Sequence, residues 1–253
     1  MLLCLCSSTL LAQDFSKFEK ASFINSTDTI HYRILYPEQF DSLKKYPVVI
    51  FLHGSGERGS DNEKQLVHGG NLFLKPEVRS QFPAIVIFPQ CPENDSWTNA
   101  KFSTKPDGTR LREFQKGGKP TKTMHALLGM TENLLKKPFV EPSQVYVGGL
   151  SMGGMGTYEI LRRKPKMFAA ALAICGADAI GNVRKYKNVP LWIFHGAKDE
   201  AVEPAYSIAI ANQLKLKGKE VKFSYYPEDG HNSWDSAFAE PELLPWLFSK
   251  HKN

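Results

Sequence analysis

Apolar residues along this chain gather in short unbroken runs rather than in alternation. Residues 46–52 (YPVVIFL), 84–88 (AIVIF), 168–175 (FAAALAIC) and 189–194 (VPLWIF) are each almost wholly apolar, the first rich in β-branched side chains. Each run stops at a breaker: His53-Gly54, Pro89, Gly176 and His195-Gly196. Residues 144–147 (QVYV) stop at Gly148-Gly149 and residues 219–226 (KEVKFSYY) at Pro227. Residues 30–36 (IHYRILY) alternate loosely before Pro37, the pattern of an edge strand. A strand apolar at consecutive positions is covered on both faces, which is the condition of a parallel sheet between helices.

Helical periodicity fills the gaps. Residues 123–136 place Met124, Leu127, Leu128, Met130, Leu134 and Leu135 at helical spacing. Residues 151–163 follow the QVYV strand at once. Residues 204–217 end before Gly218, where a C-terminal cap belongs, and residues 237–249 are expected to form the last helix. Strand and helix in alternation predict an open α/β sheet in a single domain over residues 13–253. Residues 91–120, rich in Lys, Gly, Pro and Asn, read as a loop insertion of functional length.

The 253 residues suffice to bury roughly 70% of the chain's surface without staples. An apolar fraction of 42% and a charged fraction of 23% exclude a disordered or fibrous chain. The net charge of +6 is scattered along the sequence, so no nucleic-acid partner is expected. No apolar stretch reaches the ~18 residues of a membrane span. Residues 1–12 (MLLCLCSSTLLA) resemble the apolar half of a secretory signal, with cleavage expected between Ala12 and Gln13 and a secreted or periplasmic location. Leu3 and Leu5 precede Cys4 and Cys6, so lipidation is not expected. The remaining Cys91 and Cys175 read as small buried hydrophobes rather than a disulfide framework.

Gly149-Leu150-Ser151-Met152-Gly153 matches G-x-S-x-G between a strand and a helix. A strand turning that sharply needs small flanking residues and lifts the serine hydroxyl to a helix N-terminus, where it serves as a nucleophile. The competing reading is a glycine-rich helix start with a capping serine. A hydroxyl needs a base, and His231 lies after the last strand, on the same sheet edge. Asp199, after the preceding strand, is the acid expected to orient it; Glu200 and Asp178 compete for that role. The order Ser151, Asp199, His231 is the one such sheets use. The oxyanion hole is expected from the backbone N–H groups of Met152 and Ser55, with Gly54 as the alternative. His53 and His195 each end a strand and read as hydrogen-bonded structural histidines. None of the seven histidines shows metal-ligand spacing, so no metal is expected.

Together these segments resemble the α/β-hydrolases. The resemblance rests on Leu52-His53-Gly54 with Gly56-Glu57-Arg58-Gly59, on Gly149 to Gly154, on Phe194-His-Gly-Ala-Lys-Asp199, and on Asp229-Gly-His231-Asn-Ser-Trp234. It extends over about residues 23–248. Within the superfamily the set is similar to the phospholipase/carboxylesterase and dienelactone-hydrolase-like esterases, and to the feruloyl and acetyl-xylan esterases of carbohydrate esterase family 1. The resemblance implies a three-layer sandwich with a mostly parallel sheet and helices on both faces. It also implies a serine esterase working through Ser151, His231 and Asp199 and no cofactor. Dienelactone hydrolases use a cysteine where this chain has Ser151, which argues against that activity. Prolyl-oligopeptidase enzymes carry a further domain for which this chain is too short.

The substrate is less legible. A small-molecule or polysaccharide ester is expected, feruloyl or acetyl esters first. The alternatives are a small-substrate esterase or peptidase, a lipid esterase, or a silent binding module. Trp97 and Trp234 could each offer a flat apolar platform to the substrate, or pack as a loop anchor and as the start of the last helix. Glu57 and Arg58 either touch substrate or pair within their own loop, Asp61 and Glu63 being the nearby acids. The oligomeric state is not legible.

Overall fold

The computed structural model describes residues 14–25, 28–108, 110–219 and 221–252; the expected signal segment, residues 1–12, lies outside them. Ten strands run in chain order: β1 (Glu19–Ile24), β2 (Thr29–Leu35), β3 (Tyr46–Leu52), β4 (Ile85–Gln90), β5 (Lys101–Thr104), β6 (Arg110–Glu113), β7 (Val140–Leu150), β8 (Ala170–Ile174), β9 (Leu191–Gly196) and β10 (Val221–Tyr226). The helices are α1 (Gly70–Leu74), α2 (Pro76–Gln81), α3 (Lys122–Leu134), α4 (Met152–Arg163), α5 (Val183–Tyr186), α6 (Ala205–Leu216), α7 (Trp234–Ala239) and α8 (Leu243–Phe248).

Eight strands form one sheet in the order β1-β2-β4-β3-β7-β8-β9-β10. β4, β3, β7, β8, β9 and β10 are mutually parallel, whereas β2 pairs antiparallel with both β1 and β4. The period of two explains why the central runs are continuous. Val48, Ile50 and Leu52 of β3 enter one core with α3, α4 and α6; Val49 and Phe51 enter the other with α1, α7 and α8. The same split holds for Ile85 and Ile87 against Val86 and Phe88, and for Leu191 and Ile193 against Trp192 and Phe194. The result is the three-layer α/β-hydrolase sandwich. Among the described residues no helix is long and apolar enough to cross a membrane.

Three departures from the expected elements have local causes. The last helix is two, α7 and α8, because Glu240 before Pro241 is extended (φ −62°, ψ 118°). Residues 91–120 contain a hairpin, β5 paired with β6, built of mostly exposed positions that carry no apolar run. β1 alternates between exposed and half-buried positions, too weak a pattern to signal a strand.

Candidate active site

Parallel strands all deliver their C-terminal ends to one edge, and the chemistry collects there. β7 ends at Leu150 and α4 begins at Met152, so Ser151 alone makes the turn. Its backbone sits at φ 53°, ψ −116°, a conformation non-glycine residues rarely adopt. Neighbours impose it: Ser151 N–H donates to the Ile174 carbonyl of β8 at 2.9 Å, and the Ser151 carbonyl accepts from Met155 N at 3.0 Å. The flanking glycines are steric necessities, since a Cβ on Gly153 would fall on the Leu52 carbonyl and one on Gly149 would strike the Gly153 carbonyl. The hydroxyl makes no capping bond to α4, which disposes of the capping-serine reading and leaves Oγ for another partner.

That partner is His231, whose Nε2 lies 2.9 Å from Ser151 Oγ. Its Nδ1 lies 2.8 Å from Asp199 Oδ2. A carboxylate only accepts, so Nδ1 carries the ring proton and Nε2 is free to accept from the serine. Asp199 Oδ1 in turn accepts from the N–H groups of Ala201 and Val202, each at 2.8 Å. Burial on its own would raise the Asp199 pKa; hydrogen bonds from His195, His231 and Val202 N–H outweigh it and hold the carboxyl well below the ordinary carboxylate range. Glu200 is exposed beside it. Asp178 is buried elsewhere, accepting from Ala179 N, Asn182 Nδ2 and the Tyr186 hydroxyl, and burial pushes its pKa up to about 6.

The two residues expected to form the oxyanion hole line the same cavity. Met152 is the first residue of α4 and Ser55 the first of a 3₁₀ turn over Ser55–Glu57, so neither N–H has an intrahelical partner. Both residues line a cavity of about 310 Å³ with Ser151 and His231; Gly54 is buried behind them, against Leu150 and Ser151. Arg58, Ser96, Phe102, Arg112, Met155, Ala201 and Val202 complete the wall.

The tryptophans have parted company. Trp97 is fully buried, its Nε1 donating to the His53 carbonyl at 3.0 Å, with Gly156 of α4 against its Cβ. It anchors the insertion beneath the loop after β3, and the platform reading gives way to packing. Trp234 stands edge-on to His231, ring centres 5.5 Å apart, and meets His68 at 5.0 Å. Glu57 Oε1 lies 3.6 Å from His68 Nε2. Trp234, His68 and Glu57 therefore back the base from outside the cavity wall. Arg58 holds its own loop through carbonyls rather than carboxylates, donating to Ser55 O and Glu93 O at 3.0 Å each.

His195 and His53 are the hydrogen-bonded structural histidines expected from the sequence, and what escaped the sequence reading is the contact of His195 with Asp199. His195 Nε2 lies 3.1 Å from Asp199 Oδ2 and 2.9 Å from the Val202 carbonyl, while Nδ1 lies 2.7 Å from the Ser207 hydroxyl. The four-residue spacing of His195 and Asp199 across one tight turn was the available signal. His53 is also buried: its Nδ1 meets the Gly54 carbonyl at 2.6 Å, Nε2 accepts from Cys91 N at 2.9 Å, and burial pulls its pKa down to about 4. It braces the loop after β3 as a neutral ring. Cys175, Asp199 and His231 present donor atoms within 4.8 Å of one another. Burial pushes the Cys175 thiol up, and the other two already bond each other.

A family model for phospholipase/carboxylesterase matches residues 39–240. The chain belongs to the phospholipase/carboxylesterase family. Solved structures share the fold. A thermostable esterase is 31% identical with a TM-score of 0.83 over 93% of this chain, which spans 64% of that protein's length. A ferulic acid esterase (17% identity, TM-score 0.69, 92% of this chain and 98% of that one) shares the fold. So does Est1E from Butyrivibrio proteoclasticus (15% identity, TM-score 0.64, 91% and 99%).

Proposed function

We propose that this carboxylesterase-family protein cleaves acyl esters carried on polysaccharides, through an acyl-enzyme on Ser151. His231 takes the hydroxyl proton as Ser151 Oγ attacks the ester carbonyl. The carbonyl oxygen becomes an oxyanion held by the N–H groups of Ser55 and Met152. His231 then gives the proton to the departing alcohol, leaving the acyl group on Ser151, and the same ring activates the water that releases it. Asp199 fixes the ring tautomer and stabilises the imidazolium.

The single observation that carries this reading is the 2.9 Å link from His231 Nε2 to a serine hydroxyl that caps nothing. The macromolecular substrate is supported by access: the His231 side chain is 29% exposed at the sheet edge, within reach of an ester on a large molecule. The ferulic acid esterase of the same fold makes feruloyl groups the first to try, with acetyl groups beside them as the sequence resemblance implies. The apolar opening residues 1–12 support export toward external substrates; an N-terminus at Gln13 on the exported protein would test this. The functional test is hydrolysis of methyl ferulate and of acetylated xylan by wild type and Ser151→Ala.

A further inference from the structure

The cavity beside Ser151 carries charge of one sign. Among the described residues its fully charged wall groups are two guanidiniums, Arg58 and Arg112, and no carboxylate lines it. They arrive from separate segments, Arg58 from the loop after β3 and Arg112 from β6 of the hairpin in the insertion. Both are held in place by groups without net charge. Arg58 donates from Nε and one NH to the carbonyls of Ser55 and Glu93. Arg112, its side chain 9% exposed, donates from Nη2 to the Ala201 carbonyl. The nearest acid to Arg112 is Glu203, at 3.8 Å from Nη1 and 64% exposed, so water screens that pair. A guanidinium has five N–H donors, and carbonyl bonds fix its plane without neutralising it. Phe102, Met152, Met155, Ala201 and Val202 give the cavity an apolar side, and Ser96 adds a hydroxyl.

A cavity with an apolar side and two oriented cations suits a group with a short apolar stem and an anionic end. We infer that the preferred ester bears a carboxylate within the reach of this cavity, and that Arg112 and Arg58 are the residues that select it. This rests on the esterase reading and narrows it, to esters on acidic polysaccharides or to half-esters of dicarboxylic acids. The two sources share one chemistry and differ in which half of the ester is charged. The net charge of +6 favours approach of either.

The test uses matched pairs with the wild-type protein. Monoethyl succinate against ethyl 4-methylpentanoate places the carboxylate or its neutral isostere on the acyl half. Methyl O-acetylgalacturonoside against methyl O-acetylgalactoside places it on the alcohol half. One pair is expected to show a kcat/KM preference on the order of 10- to 100-fold for the charged member, shrinking as salt is raised. Arg112→Gln and Arg58→Gln each lower that ratio. Arg112→Gln also loosens the Ala201 contact, so the ratio rather than either rate is the readout, and Arg58→Gln reads it independently. Equal or greater turnover of the neutral member in both pairs overturns this inference and leaves the esterase reading standing. Failure of the folded protein to turn over any of the four, or to react with a fluorophosphonate at Ser151, overturns both.

Discussion

His195 Nε2 lies 3.1 Å from Asp199 Oδ2, the same oxygen that accepts from His231 Nδ1 at 2.8 Å. The acid thus serves two imidazoles, one exposed to the cavity and one fully buried. The Val202 carbonyl and Asp199 are both acceptors, so His195 Nε2 must carry a proton, and Nδ1 pairs with the Ser207 hydroxyl. His195 is a positioning residue: it holds the carboxylate to the rotamer His231 needs. His195→Ala is expected to lower kcat roughly 10- to 100-fold with KM near wild type. His195→Gln, which can return an N–H to Asp199, should recover part of the loss. A rise in KM alone would assign His195 to structure only.

Asp199 is held ionised well below the usual carboxylate range. The acid limb of log kcat/KM is therefore expected to carry no break that belongs to Asp199 down to about pH 4. A break in that range that disappears in Asp199→Asn would mean that Asp199 loses its charge there.

The glycine after the nucleophile leaves no room for a methyl group. Gly153→Ala puts Cβ onto the Leu52 carbonyl, a backbone atom of a central strand that cannot move aside. The variant is expected to lose about 2–3 kcal/mol of stability and to react slowly with fluorophosphonate. Urea unfolding and labelling rates check both.

Asp178 has a different pH signature. Its pKa is raised to about 6 in the folded protein by burial, against an unfolded value of 3.8. Between those values the folded state binds more protons, so this group's contribution to stability falls as pH rises from about 4 to about 6. The change is on the order of 2–3 kcal/mol. In Asp178→Asn that component of the slope disappears, measurable as a flatter dependence of the denaturation midpoint on pH. An unchanged slope would remove Asp178 from the account.

Much of this arrangement was legible in the sequence, for identifiable reasons. The central strands announce themselves because each is covered on both faces, and the Ser151 turn because only glycines fit beside it. Asp199 and His231 follow from their place after successive strands. What escaped depends on partners distant in the chain. Trp97 was open between a substrate platform and a packed loop anchor, and the choice is decided by Gly156 and the His53 carbonyl. Arg112 was one cation among many until the hairpin brought it to the cavity. The break between α7 and α8 was readable in Pro241, but the apolar spacing across it masked the stop.

The most direct test of the central claim is the rate of p-nitrophenyl acetate and methyl ferulate hydrolysis by wild type and Ser151→Ala, with His231→Ala and Asp199→Asn beside them. Serine-protease triads set the scale: on the order of 10⁵- to 10⁶-fold loss of kcat for the first two variants and roughly 10⁴-fold for Asp199→Asn, with folding intact. Near-wild-type turnover by folded Ser151→Ala or His231→Ala would contradict the account, because the reaction would then not pass through this serine and its base.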